Sequence, residues 1–274
     1  MKKNINSLII HLVMFSLALS WLYPYIWMVL SSFKQSADIY TTGLFGSAYS
    51  LDNYRFLFEN SGRVEKPFLK TLFNSLFIST VVTVAVTLSS MFIGFALAKM
   101  QFKGQSLFRN LLFLQMVFPA SMFIIPQFVL VRELGLLNTY SAMIVPFLMS
   151  SWGIFMISQS FQGTPNDYIH AAKIDNASLW QIMIYLMMPL NKAIIAIVAL
   201  FTFVGTWDNF LWPLIVIQDE SKMPLSVLLA TFSKSYGVYV GPVIAGAVIQ
   251  TIPIVVLFIL FRKYFMQGMS LSLK

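Results

Sequence analysis

Apolar residues fall into six long blocks along this chain, at about 8–31, 72–98, 107–131, 140–160, 192–217 and 241–262. A helix needs roughly 20 such residues to cross a bilayer core, so the pattern predicts an all-α integral membrane protein with six transmembrane helices and a single membrane domain. The first block could be taken for a signal peptide, because Lys2 and Lys3 precede it and Ala18-Leu19-Ser20 offers small residues for cleavage. The apolar run nevertheless continues through Trp21-Leu22-Tyr23-Pro24-Tyr25-Ile26-Trp27 to Leu30, with aromatic residues suited to a membrane interface, and it is retained as span one.

Two polar stretches interrupt the blocks. Residues 33–71 are mixed in charge and rich in turn formers, among them Gly43, Gly46, Asn53, Asn60, Ser61 and Gly62, and read as an extracellular loop that either caps the mouth or moves freely. Residues 161–189 are different, because a helix is legible inside them. Thr164 can cap, Pro165 suits the first helical position, and Asp167 complements the positive end, so a short helix is expected over about 165–175. It should stop at Asn176, since asparagine follows only glycine in its readiness to adopt the left-handed conformation. A second segment then runs from Ser178 to Met188, with Pro189 breaking the pattern before span five.

Charge orients the blocks. Six spans put both termini on one face, and with the termini cytoplasmic ten basic residues lie inside (Lys2, Lys3, Lys99, Lys103, Arg109, Lys173, Lys192, Arg262, Lys263 and Lys274) against eight outside. Five of those eight fall between Lys34 and Lys70, where Asp38, Asp52, Glu59 and Glu65 interleave with them. Both termini and the 161–189 loop are therefore expected in the cytoplasm. The net charge of +8 is scattered over short loops without forming a run, so it reads as topology and not as a nucleic-acid surface. With 58% apolar and 10% charged residues, lipid is the expected surrounding medium.

Candidate chemistry is sparse. A carboxylate inside a span costs about 2.5–3.5 kcal/mol at a helix centre, so Asp208 should face the interior of the bundle. At 100° per residue Thr202, Gly205, Thr206, Asp208, Asn209 and Trp212 share one arc of span five, and Phe203, Val204, Trp207, Phe210, Leu211 and Leu214 take the other side. The polar arc either lines a substrate passage, through Thr206, Asp208, Asn209 and Trp212, or bonds neighbouring helices together. Gly241 and Ala245 have the spacing of a helix-packing face. No Gly-x4-Gly-Lys loop is present to hold nucleotide, cysteine is absent, and His11 and His170 lack further ligands at metal spacing. No cofactor, metal or catalytic residue is expected. A membrane-embedded lipid or glycan enzyme and an ion-coupled secondary transporter remain as other classes. The acids are dispersed and no internal repeat is visible, neither of which those classes would favour.

The loop carries a resemblance. His170-Ala171-Ala172, three residues, Asn176, nine residues and Leu186-Met187-Met188-Pro189 reproduce the spacing of the Glu-Ala-Ala loop in membrane subunits of bacterial ABC importers. The chain resembles the maltose-type carbohydrate branch in particular. The shared segments are Pro24-Tyr25-Ile26-Trp27, Ser31-Ser32-Phe33-Lys34, Leu51-Asp52-Asn53-Tyr54, Asn74-Ser75, Leu134-Gly135-Leu136-Leu137-Asn138-Thr139 and Trp207-Asp208-Asn209-Phe210-Leu211-Trp212-Pro213-Leu214. The resemblance implies a type I ABC importer permease fold in a bacterial plasma membrane, with Asp167, His170, Ala171, Ala172, Asp175, Asn176 and Pro189 serving ATPase coupling. It implies an ABC ATPase dimer that binds ATP and Mg, a second homologous permease and an extracytoplasmic sugar-binding protein as partners. Histidine replaces the family's glutamate at His170, so the ion pair made by that glutamate is not carried over, and shape at the two alanines is expected to dominate docking.

Overall fold

The computed structural model describes residues 2–40, 43–46, 48–59, 68–235 and 240–271. Asn60, Ser61 and Gly62 of the expected outer turn, together with Lys274, lie outside them. Helices account for nearly all regular structure: α1 Lys2–Ser31, α2 Asp52–Phe58, α3 Phe68–Lys99, α4 Gln105–Val117, α5 Ile124–Glu133, α6 Tyr140–Ile144, α7 Ser151–Gly163 and α8 Asn166–Ile174. They continue as α9 Leu179–Gln181, α10 Met188–Leu190, α11 Lys192–Trp207, α12 Leu211–Val216, α13 Leu225–Ser235 and α14 Val240–Leu271. No strand occurs among the described residues, where one antiparallel bridge pairs Lys34 with Tyr49.

Among the described residues four stretches are long and apolar enough to cross a membrane, Ser7–Ser31, Phe68–Lys99, Tyr140–Gly163 and Val240–Tyr264, and the number reaches six if each of two bent helix pairs counts as one. One bent pair joins Gln105–Val117 to Ala120–Glu133 at 100°. The sequence reading treats this block as one span, and proline explains the difference. Pro119 donates no hydrogen bond and disfavours helix in the residue before it, and Phe118 is extended at ψ 133°.

The chain divides into two compact units. The first comprises Met1–Leu69 and Leu228–Pro253. In it, Asn53 sends two 2.8 Å bonds from its amide to the carbonyls of Ser32 and Lys34, tying α2 to the end of α1. Lys34 is fully buried, with Nζ donating to the Gly43 carbonyl at 2.6 Å. Gly241 packs so closely on Asn53 that an added Cβ would overlap its carboxamide, and Ala245 is wholly buried, so the small-residue spacing serves packing.

The second unit comprises Lys70–Val227 and Ile254–Lys274, and α3 is its spine. Ile78, Val82 and Val86 recur at helical spacing and pack with Val131, Ala142, Met143, Trp212 and Val216 in one cluster. Met91 and Phe95 continue the stripe into a second cluster with Ile157, Phe161, Ile169, Ile182, Met183, Met187 and Val198. Small residues let the helices close up, as at Gly153, where a Cβ would stand 2.7 Å from Ser90 Oγ. At the Asn74 end of α3 polar bonds knit the loops. Asn74 donates to the carbonyls of Ser221 and Met223 at 3.0 Å each and accepts from Tyr140. Asn138, left-handed at φ 61°, accepts from the amides of Gln218 and Asp219. Asp219 in turn pairs with Lys222 at 3.0 Å. Its hydrogen bonds from Ser221 and then Lys222 hold the Asp219 carboxyl down at about 2.

Candidate functional site

At the other end of α3, the polar loop of the sequence folds as α8 between two short links. Thr164 and Pro165, both extended at ψ 125° and 137°, connect it to α7. Thr164 therefore closes α7 and does not cap α8, correcting the expected cap; α8 begins after Pro165, close to the expected start, with no side-chain cap, and Asp167 stands in its first turn. Thr164 has other work, since its carbonyl accepts from Lys99 Nζ at 2.7 Å, and the same ammonium donates to Asn166 Oδ1 at 2.7 Å.

The far end stops as expected. Asn176 is left-handed at φ 57°, its amide bonds the Lys173 carbonyl, and the Ala177 amide reaches back to Ala172 at 2.9 Å. This pair of bonds is the Schellman motif with asparagine at the left-handed position. Ser178 then caps the next helix reciprocally with Gln181, and the chain passes through a π-helical turn at Ile182–Met187 into α10. Pro189 sits inside the run Leu179–Leu190. The break falls two residues later at Asn191, where the run meets α11 at 82°.

Burial sorts the residues of α8. Ile169 is buried and Ala172 is half-buried, both packed on the second cluster of the α3 unit. Asp167, His170, Ala171 and Ile174 point away, within about 100° of one another around the helix, and all are exposed. Asp175 and Asn176 are exposed at the terminus. The expectation that both alanines face outward is thus half corrected. The smallness of Ala172 lets α8 lie flat on its own helical bundle, and Ala171 alone keeps the outer face low. Ile174, 81% exposed, was not singled out in the sequence. Its spacing of seven from Asp167 and three from Ala171 was the available signal.

The expected polar arc of span five does not survive as an arc, because α11 ends at Trp207 and the backbone turns at Asp208 and Asn209 before α12. Rotation at 100° per residue cannot be carried across that break. A cavity of about 1280 Å³ opens beside it, walled by Thr202, Gly205, Thr206, Asn209, Leu211 and Trp212, with Gln115, Ser121, Gln127 and Ser150 adding polar groups opposite. Asp208 is exposed and does not belong to this wall. Leu211, assigned to the greasy side, does. Trp212 is 4% exposed, gives its indole N–H to the Ala142 carbonyl at 2.9 Å and meets Phe147 edge-on, so it anchors the cavity floor and offers no open ring face. The cavity can present hydroxyl and amide groups to a polar solute, and among the described residues its wall carries no charged group.

This helical architecture is the type I ABC permease fold. A crystal structure of a bacterial ABC transporter involved in the import of the acidic polysaccharide alginate matches 96% of this chain and 98% of its own, with a TM-score of 0.79 at 23% identity. The chain belongs to the family of binding-protein-dependent transport system inner membrane components, which it matches over residues 90–270. It is 32% identical over 254 residues to the arabinooligosaccharides transport system permease protein AraQ of Halalkalibacterium halodurans, covering 91% of this chain and 90% of that one. It is also 28% identical over 275 residues to the lactose transport system permease protein LacG of Rhizobium radiobacter, covering 100% and 98%.

Proposed function

We propose that the chain is the pore subunit of an ATP-driven importer of a sugar or oligosaccharide, crossing a bacterial plasma membrane six times with both termini in the cytoplasm. The relatives named for arabinooligosaccharide and lactose transport support the substrate class. Helix α8 docks into an ABC ATPase dimer, which binds ATP and Mg and performs the hydrolysis. A second homologous permease completes the pore, and an extracytoplasmic binding protein delivers the sugar. Asp167, His170, Ala171 and Ile174 form the docking face. Thr206 and Asn209 line the path, Trp212 shapes its floor, and Asp208 stands outside the wall.

One observation carries this reading. Helix α8 turns an exposed face outward while its inner face and start are held to the bundle by packing and Lys99, and its end is closed by a Schellman cap. Ile174 lies on that face beside the small Ala171 and supplies an apolar contact for a partner to cover. The test is purification of the tagged chain from its native membrane with identification of what accompanies it, alongside uptake of radiolabelled arabinooligosaccharides, lactose and maltose in deletion and complemented strains. An ATPase and a second permease should copurify, with one of those sugars lost on deletion. Recovery of the chain alone, with uptake of all three unchanged, would refute the assignment.

A further inference from the structure

The break between the cytoplasmic loop and span five should let α8 move without moving α11, yet one side chain closes it. Asn191 is 7% exposed at the 82° bend. Its Oδ1 accepts from Ser160 Oγ in α7 at 2.6 Å. Its Nδ2 donates to Thr164 Oγ1, next to α8, at 3.2 Å, and to the Met187 carbonyl, on the near side of the bend, at 2.8 Å. Both amide hydrogens and one oxygen lone pair are thereby used. The bonds to Ser160 and Thr164 cross between elements; the bond to Met187 stays within its own segment.

The links around this carboxamide are short. Two residues separate α7 from α8, and Lys99 clamps that link to the end of α3. Beyond the bend, α11 carries Thr202, Gly205 and Thr206 to the cavity wall. The π-helical turn at Ile182–Met187 is the compliant piece on the route from α8 through the loop, because its hydrogen-bond ladder is wider than that of an α-helix. The Asn191 bridge bypasses it.

We propose that Asn191 is the positioning residue that transmits displacement of α8 to α11 and so to the cavity wall. The inference rests on the coupling role given to α8 above. A buried amide joined to three partners moves with all of them or breaks its bonds, and breaking them in an apolar surrounding is costly. With Asn191 in place, α7, the α8 link and the start of α11 behave as one body. Without it, the bend and the π-turn absorb the motion.

The absence of cysteine makes a direct test available. Gly205 is exposed to the cavity with nothing within 4 Å of an added Cβ, so a Gly205→Cys variant supplies a single reporter thiol in this chain, and labelling is read on this subunit after it is separated from its partners. The permease–ATPase complex is treated with a methanethiosulfonate reagent, nucleotide-free and after trapping with ATP and vanadate. With Asn191 intact, the labelling rate should differ at least fivefold between the two states. Adding Asn191→Ala should leave an assembled complex that still hydrolyses ATP, with the difference reduced below twofold. The combination Ser160→Ala and Thr164→Val cuts only the two bonds between elements and should do the same. It decides the matter by the same criterion if the Asn191→Ala complex does not assemble. A retained fivefold difference, or loss of hydrolysis together with the difference in an assembled complex, would overturn the proposal. A reporter insensitive to nucleotide with Asn191 intact would instead remove the coupling role of α8 and this inference with it.

Discussion

Replacing Ile174 with alanine probes the docking face without touching the permease's own core. The substitution removes three carbon groups, each worth about 0.8 kcal/mol when fully buried. Ile174 is 81% exposed in the isolated chain, so a partner groove that covered it would gain about four-fifths of that, or about 2 kcal/mol. The expected loss is about 30-fold in affinity for the ATPase. Because the side chain makes so little contact within the chain, the melting temperature of the permease should barely change, in line with surface substitutions that shift stability by about 0.5 kcal/mol or less. The measurement is a fluorescence titration of the copurifying ATPase against nanodisc-embedded permease, wild type and variant, with thermal unfolding in parallel. A change in Kd below threefold would refute the argument that Ile174 is an anchor. A matching fall in melting temperature would refute the claim that it serves only the partner.

Two further expectations concern the scaffold. Gly241→Ala should drive Asn53 from its place and forfeit its two bonds, costing about 2–3 kcal/mol; thermal unfolding of Gly241→Ala, Asn53→Ala and the double variant should show strong non-additivity, and simple additivity would exclude the mechanism. Asp219 is held at about 2, below its usual range, so its contribution is full above about pH 4 and is lost as pH falls through about 2. The Asp219→Asn variant should lack this acid-sensitive component in unfolding followed from pH 5 to pH 1.5, and a curve identical to that of the parent would contradict it.

Legibility in the sequence followed the range of the forces involved. The end of α8 at Asn176 is a local matter of one residue's tolerance for φ 57°, and it was readable. The apolar block of α3 was readable as a span, but its inward face of Ile78, Val82 and Val86 was not, because Phe77, Val84 and Leu88 on other faces are just as apolar. The cap of α8 was misassigned because Thr164 is engaged by Lys99 and Asn191, residues distant in sequence. The break after Trp207 had a local signal that the arc argument passed over: Pro213 has no N–H for the Asn209 carbonyl, which accepts instead from Ser226 Oγ at 2.9 Å. No local pattern in the sequence marks Asn191. Its importance lies in three partners that only folding brings together.

The bend at Phe118 and Pro119 bears on how the protein is made. The 13 residues of α4 and the 10 of α5 extend about 20 Å and 15 Å, and neither reaches across a hydrocarbon core of about 30 Å. An insertion machinery that senses only hydropathy meets one apolar segment here, whereas the finished protein contains two half-length helices whose backbone ladder is interrupted at Phe118 and Pro119 before a 3-10 turn at Ala120–Phe123. Lipid cannot solvate such a gap, and Phe118, Ala120, Ser121 and Phe123 lie instead along the cavity wall. The kink is therefore to be formed after the segment has entered the bilayer, once neighbouring helices have enclosed a space for it. Its formation makes pore assembly a condition for this segment to reach its final shape.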